Sequence, residues 1–510
     1  MNKVLLITFI FFSSFASKIN AETISTATTH TSSKTISEDL TITSTGSMNC
    51  VEADGEGNWS NCIRIQDNST PLTITNRGRL YTTTHDNDKD TIIRATGSEE
   101  SDLTIKNYGT MESIGNSTLY LSSLSDGDGD GTSAYIYNEG TITATKAYTV
   151  RFDGSDDFKI DNYGTITNTN AAGQTLFYQA SSGTLSGFIL NNYAGGIISA
   201  PNSGSCSNDA KHTGAINAKQ NVSGSTINNW GTITAGCATM RIGASATVNN
   251  YGTIEATGDP SYLSIETNGD DNILNFYEGT LIIGTIDADD DSGNTLNFHL
   301  CSSYNYYLTG SWSVNDKSGC GDVVYSGGYA KSSSTLSQSM ADEIVALKVD
   351  YINETFDYSN KKINKNKEFG FFSKSYSDRD NGDEIDKFVS SQNNVVIGFP
   401  LNNGHQIFSF SSDNLDFLNL NVSSSNLQTG FLLEDLNFFT DKKIGFKSVF
   451  GYHKHRSNRS QLNNTVALGK ETIHKDYNSF SAIIGSQIQS GNVKINLDTS
   501  FQRFPNYIES

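Results

Sequence analysis

The chain has 510 residues, enough to bury a sizeable core and to form more than one domain. Its formal charge of -20 and pI near 4.7 exclude a nucleic-acid partner, which would call for a basic patch, and suit a surface exposed outside the cell. After the first twenty residues no stretch approaches the ~18 apolar residues of a transmembrane helix, a criterion that membrane barrel strands escape.

Lys3, the apolar run 4–12 and the Ser/Ala-rich sequence reaching Ala21 predict an export signal over residues 1–21. The run is too short to span a bilayer as a helix, which favours a cleaved signal over an anchor, although Ile19 is bulky where cleavage prefers a small residue.

Residues 22–330 are rich in short runs of Thr, Ile, Tyr and Ser punctuated by Gly, Asn and Asp, and predict strands without helices. One phrase recurs there: apolar, any, Asn, any, Gly, any, apolar. It is complete at Ile74-Asn76-Gly78-Leu80, Ile105-Asn107-Gly109-Met111, Ile136-Asn138-Gly140-Ile142, Ile160-Asn162-Gly164-Ile166, Ile227-Asn229-Gly231-Ile233 and Val248-Asn250-Gly252-Ile254. Its glycines fall 21 to 67 residues apart, which implies one supersecondary unit stacked on copies of itself. If the phrase stays extended, both apolar residues face the core. Gly marks a bend or a close neighbouring backbone, and Asn tolerates a left-handed turn and can hydrogen-bond from coil to coil. A parallel β-helix fits these demands, with eight or nine coils at ~4.8 Å each and a stack about 40 Å long. Degenerate copies flank the complete ones: Ile42-Gly46-Met48 with Ser44 for Asn, Leu190-Asn192 with an extra residue before Ile197, and Asn275 to Gly279-Thr280-Leu281. Such ends cap a stack rather than continue it.

The six cysteines form three sequence-local pairs, Cys50/Cys62, Cys206/Cys237 and Cys301/Cys320, which after export would most simply be disulfides. Six cysteines permit about 15 connectivities, and the rival of metal binding lacks a C-x-x-C or a histidine at ligand spacing.

Residues 331–367 read as a polar linker followed by a helix, since Leu336, Met340, Ile344, Leu347 and Tyr351 keep helical spacing. From 368 to 510 come about seven alternating runs, at 368–376, 393–400, 405–410, 428–438, 443–452, 477–487 and 493–501, resembling outer-membrane barrel strands with a lipid face and a lumen face.

In sum the order of parts resembles a bacterial autotransporter of the type V secretion class: signal, Asn-x-Gly-Thr-Ile passenger, linking helix, C-terminal translocator. The resemblance implies an all-β chain. It would comprise a right-handed parallel β-helix passenger, a linking α-helix at 335–359 in the barrel lumen, and a partial antiparallel transmembrane β-barrel. It further implies an outer-membrane protein with its passenger at the cell surface or outside the cell. Its partners would be outer-membrane lipid, the general export and barrel-assembly machinery, and a surface glycan or protein ligand. The 143 residues after Lys367 hold fewer strands than the family's usual twelve, and no terminal aromatic residue follows Tyr507-Ile508-Glu509-Ser510, so a C-terminally truncated fragment is expected. No Asn-Asn pair lies in 335–359, which leaves the self-cleavage of some relatives unsupported.

Chemistry is sparse. Asp126, Asp128 and Asp130, with Gly at the sixth position of the run from Ser125, resemble the first half of a calcium loop. Position twelve is Tyr137 rather than Glu, which favours a solvated acidic turn. Asp287, Asp289, Asp290 and Asp291 form a weaker acidic cluster. Tyr108, Tyr163, Trp230 and Tyr251 would form an aromatic ladder, more readily as mutual stacking than as a glycan or partner platform. Asp291-Ser292-Gly293 has no histidine placed as a base and reads as a turn, while His30, His85, His212 and His299 are scattered singly. His453-Lys454-His455 reads as a hairpin end rather than a metal site. The sequence therefore predicts a non-enzymatic, adhesin-like passenger with no cofactor beyond a calcium candidate. The alternative is a secreted β-helix polysaccharide lyase or hydrolase, which would need carboxylates and basic residues converging on adjacent coils.

Overall fold

The computed structural model describes residues 21–51, 61–66, 71–83, 91–96, 102–122, 124, 133–153, 157–179, 185–201, 214–218, 222–289, 291–319, 322–332, 369–377, 388–401, 404–417, 420–439, 442–490 and 493–503. The described residues contain strands and no helix. The linking helix at 335–359, nearly all of the export signal, Asp126, Asp128, Asp130, Asp290, Cys206, Cys320, His85 and His212 lie outside them. The chain divides into two units, which are taken in turn. The first comprises 1–275, 284–295 and 310–313, and the second 276–283, 296–309 and 314–510.

In the first unit each turn of the chain contributes a strand to each of three parallel sheets, an arrangement consistent with a β-helix. The coil around the second complete phrase is representative. Leu103–Asn107 lies in the first sheet, Thr110–Ser113 in the second and Ser117–Ser122 in the third. Stacking is in register: Ile105 faces Ile74 and Ile136, and Met111 faces Leu80 and Ile142. The apolar positions of the phrase, including Ile160, Ile166, Ile227, Ile233, Val248 and Ile254, are fully buried, each contributing about 1.5–3 kcal/mol of burial.

The phrase does not stay extended. Its first half ends one strand, its second half begins another, and the chain bends between them at the residue after Asn and at Gly, so both apolar positions reach the core from different sheets. The asparagines end strands and take no left-handed conformation, and none of the phrase glycines has positive φ. Gly is required by close approach instead. A Cβ on Gly109, Gly140 or Gly164 would collide with the carbonyl oxygen of the corner glycine one coil earlier.

The degenerate copies align differently from the sequence expectation. Ile42, not Ser44, faces Asn76, while Arg79 accepts strand pairing opposite Ser47 next to Gly46, so two residues are inserted at that bend. At the later copy Thr165 faces Ile197 and Ile166 faces Ile198, so Ala194 and Gly195 are the insertion and Gly196 takes the corner. Ile198 is therefore the buried position, and Ile197 is exposed. An outward bulge at a corner leaves both flanking sheets in register, which is why spacing alone misplaced it.

The second unit contains a seven-stranded antiparallel meander. Its strands are Phe369–Ser377, Phe388–Leu401, Gly404–Phe417, Leu420–Phe439, Lys442–Asn463, Lys470–Ser490 and Val493–Arg503, each paired with the next. Several run well past the predicted ends, and Lys442–Asn463 has 22 residues. Its far end pairs in parallel with Ser303–Asn305, and the tip beyond it packs on the same segment. Tyr307 N donates to Asn464 Oδ1 at 2.7 Å, and Asn464 Nδ2 returns a bond to Tyr307 O at 2.9 Å. Gly469, at φ +63°, lies against Leu281 and Ile283 where a side chain would not fit. Beneath this contact Phe276, Phe298, Tyr304 and Tyr306 form a buried aromatic cluster.

Candidate functional site

The corner asparagines form one continuous inner ladder. Each Nδ2 donates to the Oδ1 of the next: Asn76 to Asn107, Asn107 to Asn138, Asn138 to Asn162, Asn162 to Asn192 and Asn192 to Asn229, each at 2.8 Å, then Asn229 to Asn250 at 2.7 Å. The backbone completes each corner, as where Tyr108 N and Gly109 N both donate to Asn76 O and Thr110 N donates to Gly78 O. All of these asparagines are fully buried, so their polar groups are spent on the stack and leave none for a ligand.

A second, outer ladder runs one residue earlier. Asn275 donates to Asn249, Asn249 to Asn228, Asn228 to Asn191 and Asn191 to Asp161, at 2.7–2.8 Å. Asp161 also accepts from Tyr135 Oη at 2.8 Å and pairs with Lys159 at 3.1 Å. Burial, then the hydrogen bond to Asp161, push the Tyr135 phenol well above its ordinary pKa, so it stays protonated and donating. The Asn-Asn pairs at 191–192, 228–229 and 249–250 carried this signal in the sequence. A third row was missed altogether. Thr118, Thr149, Thr175 and Thr239 donate to the carbonyls of Thr143, Thr167, Ser199 and Glu255 at 2.6–2.8 Å, tying the third sheet to the second.

The aromatic residues stack on one another. Tyr163 and Tyr193 lie 4.1 Å apart, Tyr193 and Trp230 5.6 Å, and Trp230 and Tyr251 5.3 Å, all within 10° of parallel. Tyr137 bridges Tyr108 and Tyr163 at 5.7 and 5.6 Å, and Arg77 lies 4.3 Å over Tyr108. Rings stacked face to face turn their edges to solvent, which suits coil-to-coil cohesion better than a sugar platform. Tyr193 follows the inner-ladder Asn192 and so belongs to the series, although its degenerate copy hid it.

Around Asp291-Ser292-Gly293 the carboxylates hold loops. Asp291 Oδ2 accepts from Gly269 N at 2.6 Å, and Asp270 Oδ1 accepts from Ser292 N and Oγ at 2.7 and 3.0 Å. Asp289 sits in a turn, where its N–H donates to Asp287 Oδ1 at 3.1 Å. Among the described residues no three His, Cys, Asp or Glu side chains converge as metal ligands would. Cys50 and Cys62 are disulfide-bonded; Cys237 and Cys301 are also in disulfides, with their partners outside the described residues.

The C-terminal meander has inverted polarity. Ser409, Ser411, Ser424, Asn426, Gln428, His453, His455, Ser479 and Ser481 are buried, whereas Phe408, Phe410, Leu427, Phe431, Phe446, Phe450, Tyr452, Phe480 and Ile484 are exposed. His453 and His455 sit mid-strand, not at a hairpin end, because both imidazoles are absorbed in a buried cross-strand network. His453 bonds Asn426 and Ser481, each at 2.7 Å, and His455 bonds Ser424 at 2.7 Å and Ser479 at 2.8 Å. Asn426 continues the network to Ser411 at 3.1 Å and to Asp413.

The exposed apolar face ends along a line of register. Phe410, Leu427, Tyr452 and Phe480 face one another across four strands. The next outward line is Ser412, Ser425, Lys454 and Asn478, and the one after it is Asn414, Ser423, Arg456 and Asp476. Arg456 and Asp476 are ion-paired at 3.0 Å on that polar stretch.

Compared with known proteins, the chain significantly matches no family model, no curated sequence and no solved structure.

Proposed function

We propose that the chain is a bacterial autotransporter. Residues 22–330 would form a right-handed parallel β-helix passenger displayed at the cell surface in an adhesin-like role. The C-terminal strands would belong to the outer-membrane β-barrel that carries it there. The observation that carries this reading is the abrupt edge of the apolar band. One register line is Phe, Leu, Tyr and Phe, and the next outward line is Ser, Ser, Lys and Asn. Water favours neither a broad exposed apolar face nor a buried polar one, whereas a bilayer favours both, with aromatic residues at its boundary. The strands then continue through polar sequence to the 463–469 tip, as barrel strands do when they project beyond the membrane.

Export would use the general secretion and barrel-assembly machinery. Stacking of coils outside the cell would bias passage outward, since every coil buries apolar side chains that cannot slide back. The test is proteolysis of intact cells, with the C-terminal strands probed by gel mobility before and after boiling. Passenger fragments released from intact cells, and a detergent-extracted fragment whose mobility changes on heating, are expected. A passenger cut only after lysis would sink surface display, and extraction without detergent would sink the membrane assignment.

A further inference from the structure

Residues 22–330 hold six arginines, Arg64, Arg77, Arg79, Arg94, Arg151 and Arg241. Four of them occupy one outward row of the third sheet. In that row Arg64 faces Arg94, Arg94 faces Tyr120, Tyr120 faces Arg151, Arg151 faces Phe177, Phe177 faces Asn217 and Asn217 faces Arg241. Successive strands lie ~4.8 Å apart, so Arg64, Arg94, Tyr120 and Arg151 form an unbroken stretch along the solenoid axis, whereas Phe177 and Asn217 are buried and Arg241 faces Glu266, with which it pairs at 3.8 Å. In a chain of net charge -20 this is a marked concentration. Like charges placed directly opposite destabilise a sheet, and Arg64 and Arg94 are so placed.

Aromatic rings interleave the row. The Arg94 guanidinium carbon lies 5.3 Å from the Tyr120 ring centre and that of Arg151 5.0 Å from the same ring. Arg151 is also 5.1 Å from Tyr148 and 5.9 Å from Phe177, and those two rings stack at 4.7 Å. A guanidinium that lays its face on a ring keeps its hydrogen-bond donors and loses conformational freedom, so it is ordered for a planar anion. Arg151 is ion-paired with Asp153 at 2.8 Å, and Arg241 donates to Asn268 Oδ1 at 2.8 Å besides its pair with Glu266. All four arginines are partly exposed.

We infer that the Arg64–Arg151 stretch of this row is a binding strip for an acidic glycan, one bearing carboxylate or sulfate groups along its length. Guanidinium forks match such groups, and the partly exposed rings of Tyr120 and Tyr148 offer apolar contact to sugar C–H faces. A peptide is the poorer occupant, because strand addition needs free backbone groups and these strands already pair on both sides. The inference names the ligand class for the display reading and rests on that reading only for its setting.

The test uses the full chain purified in detergent, with polygalacturonate and heparin as probes, dextran as the neutral comparison and polyglutamate as the acidic peptide. One or both acidic glycans are expected to bind, and dextran is not. Arg94→Gln with Arg151→Gln should weaken binding at least about tenfold. Arg77→Gln with Arg79→Gln, at the corner and in the second sheet, should leave it unchanged. Circular dichroism checks folding, and Arg64→Gln reads the row alone if the double variant is unfolded. Wild-type binding by the row variants, equal loss in the Arg77/Arg79 variant, or equally tight polyglutamate binding would overturn the inference. Because binding is read on purified protein, it fails independently of display on cells.

Discussion

A corner asparagine of the inner ladder makes bonds that no other side chain reproduces. Asn138 donates to Asn162 Oδ1 at 2.8 Å while its own Oδ1 accepts from Asn107, and its amide also reaches the carbonyls of Gly140 and Thr165 at 3.3 Å. Asn138→Leu keeps the branched heavy-atom shape but leaves buried partners on both sides unsatisfied, and should cost about 2–3 kcal/mol. Asn228→Ala, in the half-buried outer ladder, should cost about 1 kcal/mol or less. Denaturant unfolding of the two variants checks the difference, and equal costs would contradict the role of burial. The positions of Asn and Gly were legible in the sequence because their chemistry repeats. Their conformations were not, because either a left-handed turn or a crowded backbone calls for Gly, and only coil-to-coil distance decides between them. The polar rows that escaped notice, such as Thr118 and Thr149, are residues common on any strand surface, so nothing in their identity separates a buried staple from an exposed threonine.

Among the elements, the long C-terminal strands carry the sharpest test of environment. Phe450 lies on the exposed face of Lys442–Asn463, two residues before the boundary position Tyr452. Phe450→Arg should lose about 2–4 kcal/mol if that face meets hydrocarbon, and the heat-modifiable form should decline on gels. Lys454→Leu, on the same face beyond the boundary, should leave assembly unchanged. A meander that meets water would respond in the opposite sense, with Phe450→Arg neutral or more soluble. Alternation revealed these strands in the sequence but stopped at Tyr452, since outward residues turn polar there while backbone pairing continues to Leu462 opposite Lys470. The predicted hairpin end at His453 followed from that loss of signal. Burial of His453 and His455 depends on serines and asparagine contributed by neighbouring strands, a cross-strand arrangement that one strand's sequence does not contain.

At the scale of the whole molecule, sequence length and spatial repeat are uncoupled. Asn192 and Asn229 are 37 residues apart and Asn229 and Asn250 only 21, yet the bonds are 2.8 and 2.7 Å. The difference in length falls between strands and leaves their register intact, so the coil is the unit of construction. Removing residues 139–162, one whole coil, brings Asn138 to Tyr163 and should yield a shorter folded solenoid, whereas removing 139–150 should not fold. Circular dichroism and protease resistance distinguish the two, and comparable behaviour would refute modular stacking. Six complete phrases announced that modularity from sequence, and stacked parallel sheets with buried phrase positions followed from it. The arginine row was invisible for the same reason that coil lengths vary: Arg64, Arg94, Arg151 and Arg241 have no common spacing, and only register aligns them.

The inner asparagine ladder also gives the solenoid a direction. Every amide from Asn76 to Asn229 donates toward the C-terminal neighbour, so the dipoles of that ladder add along the axis, while the outer ladder from Asn275 to Asp161 donates the other way and offsets them where the two run side by side. Where the inner ladder runs alone, at Asn76, Asn107 and Asn138, the two faces of a coil are therefore chemically opposite, one presenting a carbonyl and the other an N–H. Strands of the same sheet precede Asn76 and follow Asn250, so this direction is internal to the stack and gives the early coil junctions a single sense.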